Sequence, residues 1–221
     1  MAFAIFLMLG LCWFWGKYRL SHQEVSSLPS FAIRLVQPNT PPSSIDSFEQ
    51  REAEFQLLLE MTTPPSSLPL KAIIWPESAV SFFLELDSSS RNLMAKLLPK
   101  GALLFTGAFR RTELDKIPVK VWNTLFVVND KGDIVTYYDK FHLVPFAEYI
   151  PFRNLVDALF GENVMKTLTM SDDVSAGPPL QSLSLPQGFP SCTSLICYEA
   201  IFPSAVINPT QKRPEWMINI S

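Results

Sequence analysis

Ser191-Cys192-Thr193-Ser194-Leu195-Ile196-Cys197-Tyr198-Glu199-Ala200-Ile201-Phe202-Pro203 is the stretch on which the reading of this chain turns. Cys192 to Ile196 is short, apolar and partly β-branched, the pattern of a buried strand. The strand carries Cys197 to its end, where polar Tyr198-Glu199 and a proline-punctuated segment break it. A thiol at such a junction is held rigidly behind and open in front, with backbone N–H groups nearby to bind an oxyanion. Read alone, such a residue is more often a buried core cysteine, since free Cys packs as a small hydrophobe. Two further stretches bear on the choice.

A chain of 221 residues can hold one sizeable core, so one main domain is expected. The net charge of −3 offers no basic surface, and no nucleic acid is expected as a partner. Charged residues are only 18% and hydrophobic ones 48%, and the excess sits at one end. Ala2 to Trp15 (AFAIFLMLGLCWFW) carries no charge at all. As a helix it spans about 21 Å, short of the roughly 30 Å hydrocarbon core of a bilayer. A signal peptide would need a basic start and a small-residue cleavage site, and neither is visible. A core helix fits the length, but a surface apolar all round beside Trp13 and Trp15 fits a membrane better. Residues 1–20 are therefore expected to be part of a transmembrane helix, with Trp13, Trp15, Lys17 and Tyr18 at the interface. Lys17 and Arg19, taken alone, would put the following domain in the cytoplasm.

Cys12, Cys192 and Cys197 give neither a disulfide framework nor a zinc spacing. His22 and His142 are too few for a metal cluster. No metal or cofactor is expected, and Cys192 and Cys197 are expected to be reduced.

Strand and helix patterns alternate along the rest. Phe31 to Gln37 reads as a strand, and Ser47 caps a helix running to Met61. Ala72 to Trp75 is a second, fully apolar strand, stopped by Pro76 and followed at once by Glu77. Ser88 to Leu98 reads as a helix and Leu103 to Phe109 as a strand. Trp122 to Asn129 and Ile134 to Tyr138 flank Asp130-Lys131-Gly132-Asp133, a hairpin with glycine supplying the positive φ. A short helix is expected over Arg153–Phe160, a half-exposed strand over Leu180–Leu185 and a last strand from Glu215. The class is α/β with a mixed sheet.

Two strand ends besides that of Cys197 carry charge. A carboxylate just past a buried strand, such as Glu77, sits at the sheet edge where α/β proteins place ligands. Partial burial there would raise its pKa and suit it to accept a proton; the alternative is a solvated loop glutamate. Lys140 follows a strand within Asp139-Lys140-Phe141-His142-Leu143-Val144-Pro145-Phe146-Ala147-Glu148-Tyr149-Ile150-Pro151. An ammonium near a thiol favours the thiolate and can stabilise an oxyanion. Its alternative is a surface lysine paired with Asp139. His142 raises a Cys–His dyad of protease type, which nothing else in the sequence supports.

Glu77, Lys140 and Cys197, each just beyond an apolar strand, resemble the nitrilase (carbon–nitrogen hydrolase) superfamily. A closer resemblance is to the apolipoprotein N-acyltransferase family. It is carried by Trp75-Pro76-Glu77, by Lys140-x-His142-Leu143-Val144-Pro145-Phe146-x-Glu148-Tyr149-Ile150-Pro151, and by Cys197-Tyr198-Glu199. Val36-Gln37-x-Asn39, Asn123-x-Leu125 and Trp216-x-Ile218-Asn219 also fit. The resemblance implies a nitrilase-like αββα sandwich over residues 30–221, truncated at its C-terminus and preceded by part of a transmembrane helix. It implies a bacterial inner membrane, with the catalytic domain on the periplasmic side. The implied reaction moves a fatty acyl group from a phospholipid, through a cysteine thioester, to the N-terminal amine of diacylglyceryl-cysteine lipoproteins. By position, Cys197 is the nucleophile, Glu77 the general base and Lys140 the oxyanion stabiliser, with the Tyr198 N–H as a further donor. Glu148 supports the Lys140/Glu77 cluster, and Tyr198 and Glu199 shape the pocket. Phe141, Val144, Pro145, Phe146, Tyr149 and Ile150 would line an acyl-chain route, or simply pack the loop.

The sequence departs from that family where Ala147 replaces a usual glycine. If the backbone there has positive φ, Ala147 costs about 1 kcal/mol. A tryptophan often found after the first strand is replaced by Ile45-Asp46. Most of the family's membrane bundle and its closing segment have no counterpart here, so the chain alone is expected to be inactive. Two rivals remain: a nitrilase-type amidase using water as second nucleophile, and a membrane-tethered binding module without catalysis.

Overall fold

The computed structural model describes residues 2–22, 31–40, 47–113, 119–152, 158, 174–202 and 205–221. Two compact units divide the chain, Met1–Phe31 and Ala32–Ser221.

The first unit is helix α1, Ala2–Ser21. Nothing in Gly16-Lys17-Tyr18-Arg19-Leu20 breaks a helix, so α1 runs on past the charge-free Ala2–Trp15 to Ser21. Twenty residues span about 30 Å, and the helix is long and apolar enough to cross a membrane. None of its residues is buried. The Lys17 ammonium lies 5.2 Å from the Trp13 ring and the Arg19 guanidinium 5.4 Å from that of Trp15. These i,i+4 pairs let cationic heads fold back over apolar rings.

The second unit is built on two sheets. Strands β1 (Ala32–Leu35), β2 (Leu70–Ile74), β3 (Leu103–Arg111), β4 (Val121–Asn129) and β5 (Ile134–Asp139) lie in that order. The first three are parallel, and β4 and β5 return antiparallel. Strands β6 (Ser182–Leu183), β7 (Cys192–Ile196) and β8 (Trp216–Ile220) make the second sheet, antiparallel then parallel. Both sheets are mixed, as the interleaved pattern predicts.

Helices α2 (Phe48–Thr62) and α3 (Ser88–Ala95) connect β1 to β2 and β2 to β3. Ser47 caps α2 through a reciprocal capping box with Gln50, two otherwise orphaned N–H groups satisfied at once. Phe55, Leu58, Leu59 and Met94 pack against Ile73, Leu104, Phe126 and Val128 on one face of the first sheet. On the other face Phe105 meets Trp216 edge to face, centroids 5.6 Å apart, so the second sheet stacks there. Helices, first sheet and second sheet are thus three layers of the nitrilase-type αββα sandwich.

The hairpin forms as read, Gly132 turning at φ 85°. Helix α3 stops at Ala95, short of Leu98, because Leu97 and Leu98 donate to carbonyls three residues back and Pro99 follows. The expected Leu180–Leu185 strand keeps only Ser182–Leu183. The Ser182 N–H is taken by the Gln211 side chain, and Pro179 and Pro186 bound the segment. The helix expected over Arg153–Phe160 lies outside the described residues.

Candidate active site

Trp75 is buried and donates its indole N–H to Thr62 Oγ1 at 2.9 Å, so the chain leaves β2 from a pinned point. Pro76 and Glu77 then cross Gly107 of β3, whose N–H donates to the Pro76 carbonyl at 3.1 Å. A Cβ on Gly107 would stand 2.6 Å from Ser78 N and 2.7 Å from Glu77 Cα. Only glycine admits the turn at that distance. Ser78 leaves it at φ 50°.

At the end of β5, Asp139 is saturated by others. Arg110 binds it through Nε at 3.0 Å and Nη2 at 2.6 Å, and the Thr124 hydroxyl donates to it at 2.7 Å. Arg110 is itself held between the rings of Trp122 and Tyr137. Lys140 therefore does not pair with Asp139. It is 1% exposed, with Nζ 2.9 Å from Glu148 Oε1 and 3.6 Å from Glu77 Oε1. A buried ammonium is tolerated only when paired, and here two carboxylates surround one cation. Gly177 packs its backbone on Asp139, where a Cβ would collide, and donates its N–H to the Lys140 carbonyl.

Glu148 is presented by a self-closed loop. Its N–H donates to the Val144 carbonyl at 2.9 Å, and its Oε2 accepts the Val144 N–H at 2.8 Å. Phe146 donates to the Tyr149 carbonyl across the loop. Positive φ falls on Phe146, at 64°, and not on Ala147, so the expected strain at Ala147 does not arise. Asn123 of β4 completes the cluster. Its Nδ2 donates to Glu77 Oε1 at 2.8 Å and reaches Glu148 Oε1 at 3.4 Å, while its carbonyl accepts the Lys140 N–H at 2.8 Å.

Cys197 opens a 3-10 turn, Cys197–Ile201, at φ 51° and is partly exposed. A positive φ on a non-glycine residue is strained and concentrates at functional positions. Cys192, five residues earlier, is sealed in the core, and burial pushes its thiol up to about 12. All three cysteines are free. Glu199, 1% exposed, ties the Cys197 turn to the residues after Lys140. Its Oε1 accepts from Tyr138 Oη at 2.8 Å, Phe141 N at 2.9 Å and His142 N at 3.0 Å; its Oε2 accepts from Ile196 N at 2.8 Å. Burial and then the Glu199 charge push the Tyr138 phenol well above its ordinary range. Glu199 is thus an internal brace between the Cys197 turn and the Lys140 loop.

Glu77, Lys140 and Glu148 meet in one ion-paired cluster. The turn of Cys197 is braced against the Lys140 loop, but its sulfur hydrogen-bonds to none of the three. The His142 ring packs between Phe141 and Phe202, centroids 4.7 and 4.9 Å away. Beside the turn lies an apolar cleft of about 650 Å³, lined among others by Phe141, Leu143, Pro145, Tyr149, Tyr198 and Phe202. Ile150 also lines it; Val144 and Phe146, expected there, do not. Phe146 instead stands 65% exposed. A second cavity, about 530 Å³, is lined by Glu85, Arg110, Arg111 and Tyr137 and contains none of the clustered residues.

Layers and topology define an α/β sandwich of the nitrilase type. The fold of an amidase from Nesterenkonia AN1, of the nitrilase superfamily, is similar, with a TM-score of 0.50 and 15% identity. That likeness covers 82% of this chain and 62% of the amidase. The chain belongs to the carbon-nitrogen hydrolase family, whose profile matches residues 32–221. It is 32% identical to an apolipoprotein N-acyltransferase of Bradyrhizobium diazoefficiens, over 100% of this chain and 41% of that protein. It is 33% identical to one of Brucella suis biovar 1, over 94% of this chain and 41% of that protein. The chain thus spans about two fifths of the length of these relatives.

Proposed function

We propose that this chain carries the acyl-transfer site of an apolipoprotein N-acyltransferase, in which Glu77, Lys140 and Cys197 act together. The carrying observation is the buried Lys140 ammonium between Glu77 and Glu148, with the Cys197 turn braced to the same loop by Glu199. Oε1 of Glu77 is held by Asn123, leaving Oε2 to receive a proton.

In the first half-reaction Glu77 takes the Cys197 proton and the thiolate attacks the ester carbonyl of a phospholipid. Lys140 and the Tyr198 N–H stabilise the oxyanion. Collapse breaks the ester bond; the lysophospholipid alkoxide leaves with the proton from Glu77, and the acyl group stays as a Cys197 thioester. In the second, the free amine of a diacylglyceryl-cysteine lipoprotein attacks the thioester, gives a proton to Glu77 and expels the thiolate. Two moderate barriers replace one high one. Glu148 keeps the ammonium in place, and Tyr198 walls the cleft. No cofactor takes part. Helix α1 fits a membrane anchor, and the periplasmic side of a bacterial inner membrane is where such substrates would be met.

The apolar cleft favours a long acyl chain over the small amide of a nitrilase-type amidase. Peptide-resolved iodoacetamide labelling tests this. Long-chain phospholipid should slow labelling of Cys197 severalfold, and acetamide should not match that slowing. Protection by acetamide but not by phospholipid would turn the reading to an amidase.

A further inference from the structure

We propose that Asn123 is the positioning residue that holds the Glu77 carboxylate aligned beside Lys140, an inference that rests on Glu77 acting on Cys197. A single Nδ2 group spans both carboxylates that flank the ammonium, at 2.8 Å to Glu77 and 3.4 Å to Glu148. The backbone carbonyl of the same residue fixes the Lys140 N–H. Asn123 thus touches all three members of the cluster, from β4, a strand that supplies none of them.

Its placement is not that of a packing residue. Asn123 is 4% exposed, yet its Oδ1 is buried and has no hydrogen-bond partner. A buried acceptor left unpaired is a standing cost that an apolar side chain of similar size would avoid. The amide is retained with one end unsatisfied and the other donating to two carboxylates, so its Nδ2 is the end in use. A donor to a carboxylate favours the charged form. Two carboxylates side by side repel one another across the ammonium they share. An N–H donor between them lowers that repulsion without adding charge. Aspartate at this position would do the opposite.

The charged and titratable groups around Asn123 are Glu77 after β2, Lys140 at the end of β5 and Glu148 in the following loop. Asp139, adjacent in sequence to Lys140, is neutralised by Arg110. Glu199 and Tyr138 are bonded to each other. Cys197 is the reporter.

The test is the rate of iodoacetamide alkylation at Cys197 against pH, in the whole chain, for wild type, Asn123→Asp and Asn123→Ala. Thermal unfolding is followed in parallel. In Asn123→Asp the acid limb of the profile should move up by about one pH unit, a roughly tenfold slower reaction below both limbs. In Asn123→Ala it should move the same way by less. A merely structural role would lower the folded fraction at every pH and leave the limb where it is; that result, or unchanged rates, overturns the inference. If wild-type Cys197 reacts no faster than free N-acetylcysteine under the same conditions, the Glu77–Lys140–Cys197 reading fails and this inference with it. A reactive wild type with unmoved variant limbs removes only the role of Asn123.

Discussion

Replacing Glu199 by glutamine changes one buried atom and should unsettle the whole site. The carboxylate takes three donors on Oε1 and one on Oε2. A glutamine has one acceptor oxygen, so it must turn that oxygen toward Tyr138, Phe141 and His142. Its NH2 group then faces the Ile196 N–H, donor against donor, inside the core. An unpaired buried N–H costs about 1–3 kcal/mol, and three charge-assisted bonds weaken to neutral ones. The sum is about 3 kcal/mol, or a fall in melting temperature of roughly 6–12 °C for a unit this size. The opposite flip is worse, since three donors would then face the amide nitrogen. Thermal unfolding of wild type and Glu199→Gln, followed by near-ultraviolet circular dichroism, reads this directly. A fall of less than about 3 °C, equivalent to roughly 1 kcal/mol, would refute Glu199 as the brace between the Cys197 turn and the Lys140 loop.

Gly107→Ala puts a Cβ within 2.6–2.7 Å of the backbone carrying Glu77. It should destabilise the chain by about 1–3 kcal/mol in urea unfolding and slow Cys197 alkylation, whereas an unchanged midpoint would contradict the close crossing. Alkaline pH should also weaken the fold. Burial raises the Cys192 thiol from 9.0 to about 12, so between these values the unfolded chain has lost a proton that the folded one keeps. Stability is then full below pH 9 and falls by about 1.4 kcal/mol per pH unit above it, with Tyr138 adding the same sign from pH 10 upward. Cys192→Ala should flatten that slope by close to one proton in unfolding measured from pH 8 to 11.

Local chemistry made much of the fold legible. Ser47 with Gln50 three residues on, and Gly132 in its four-residue turn, act through bonds to near neighbours, so a linear reading finds them. The apolar strands that end at Glu77, Lys140 and Cys197 are visible for the same reason. What holds those ends together is not local. Glu199 bonds to residues 57 and 58 positions away, and Asn123 bonds to Glu77 across 46. Nothing in the order of residues marks such a pair; Asn123-x-Leu125 was visible only as a motif without a role. Gly107 and Gly177 are equally silent, because their necessity comes from a strand crossing that exists only after folding. Ala147 drew attention as a missing glycine, yet the left-handed backbone falls one residue earlier, at Phe146, where the loop closes on Tyr149. Lysine and arginine can fold back over Trp13 and Trp15, so the charges at Lys17 and Arg19 do not end α1.

The most direct test of the central claim is whether the Lys140 ammonium sets the reactivity of Cys197. Alkylation of Cys197 at neutral pH should be about tenfold or more slower in Lys140→Met than in wild type, with Cys12 reacting equally in both. Equal rates at Cys197 in the two folded proteins would mean that thiol and ammonium do not share a site, contradicting the account.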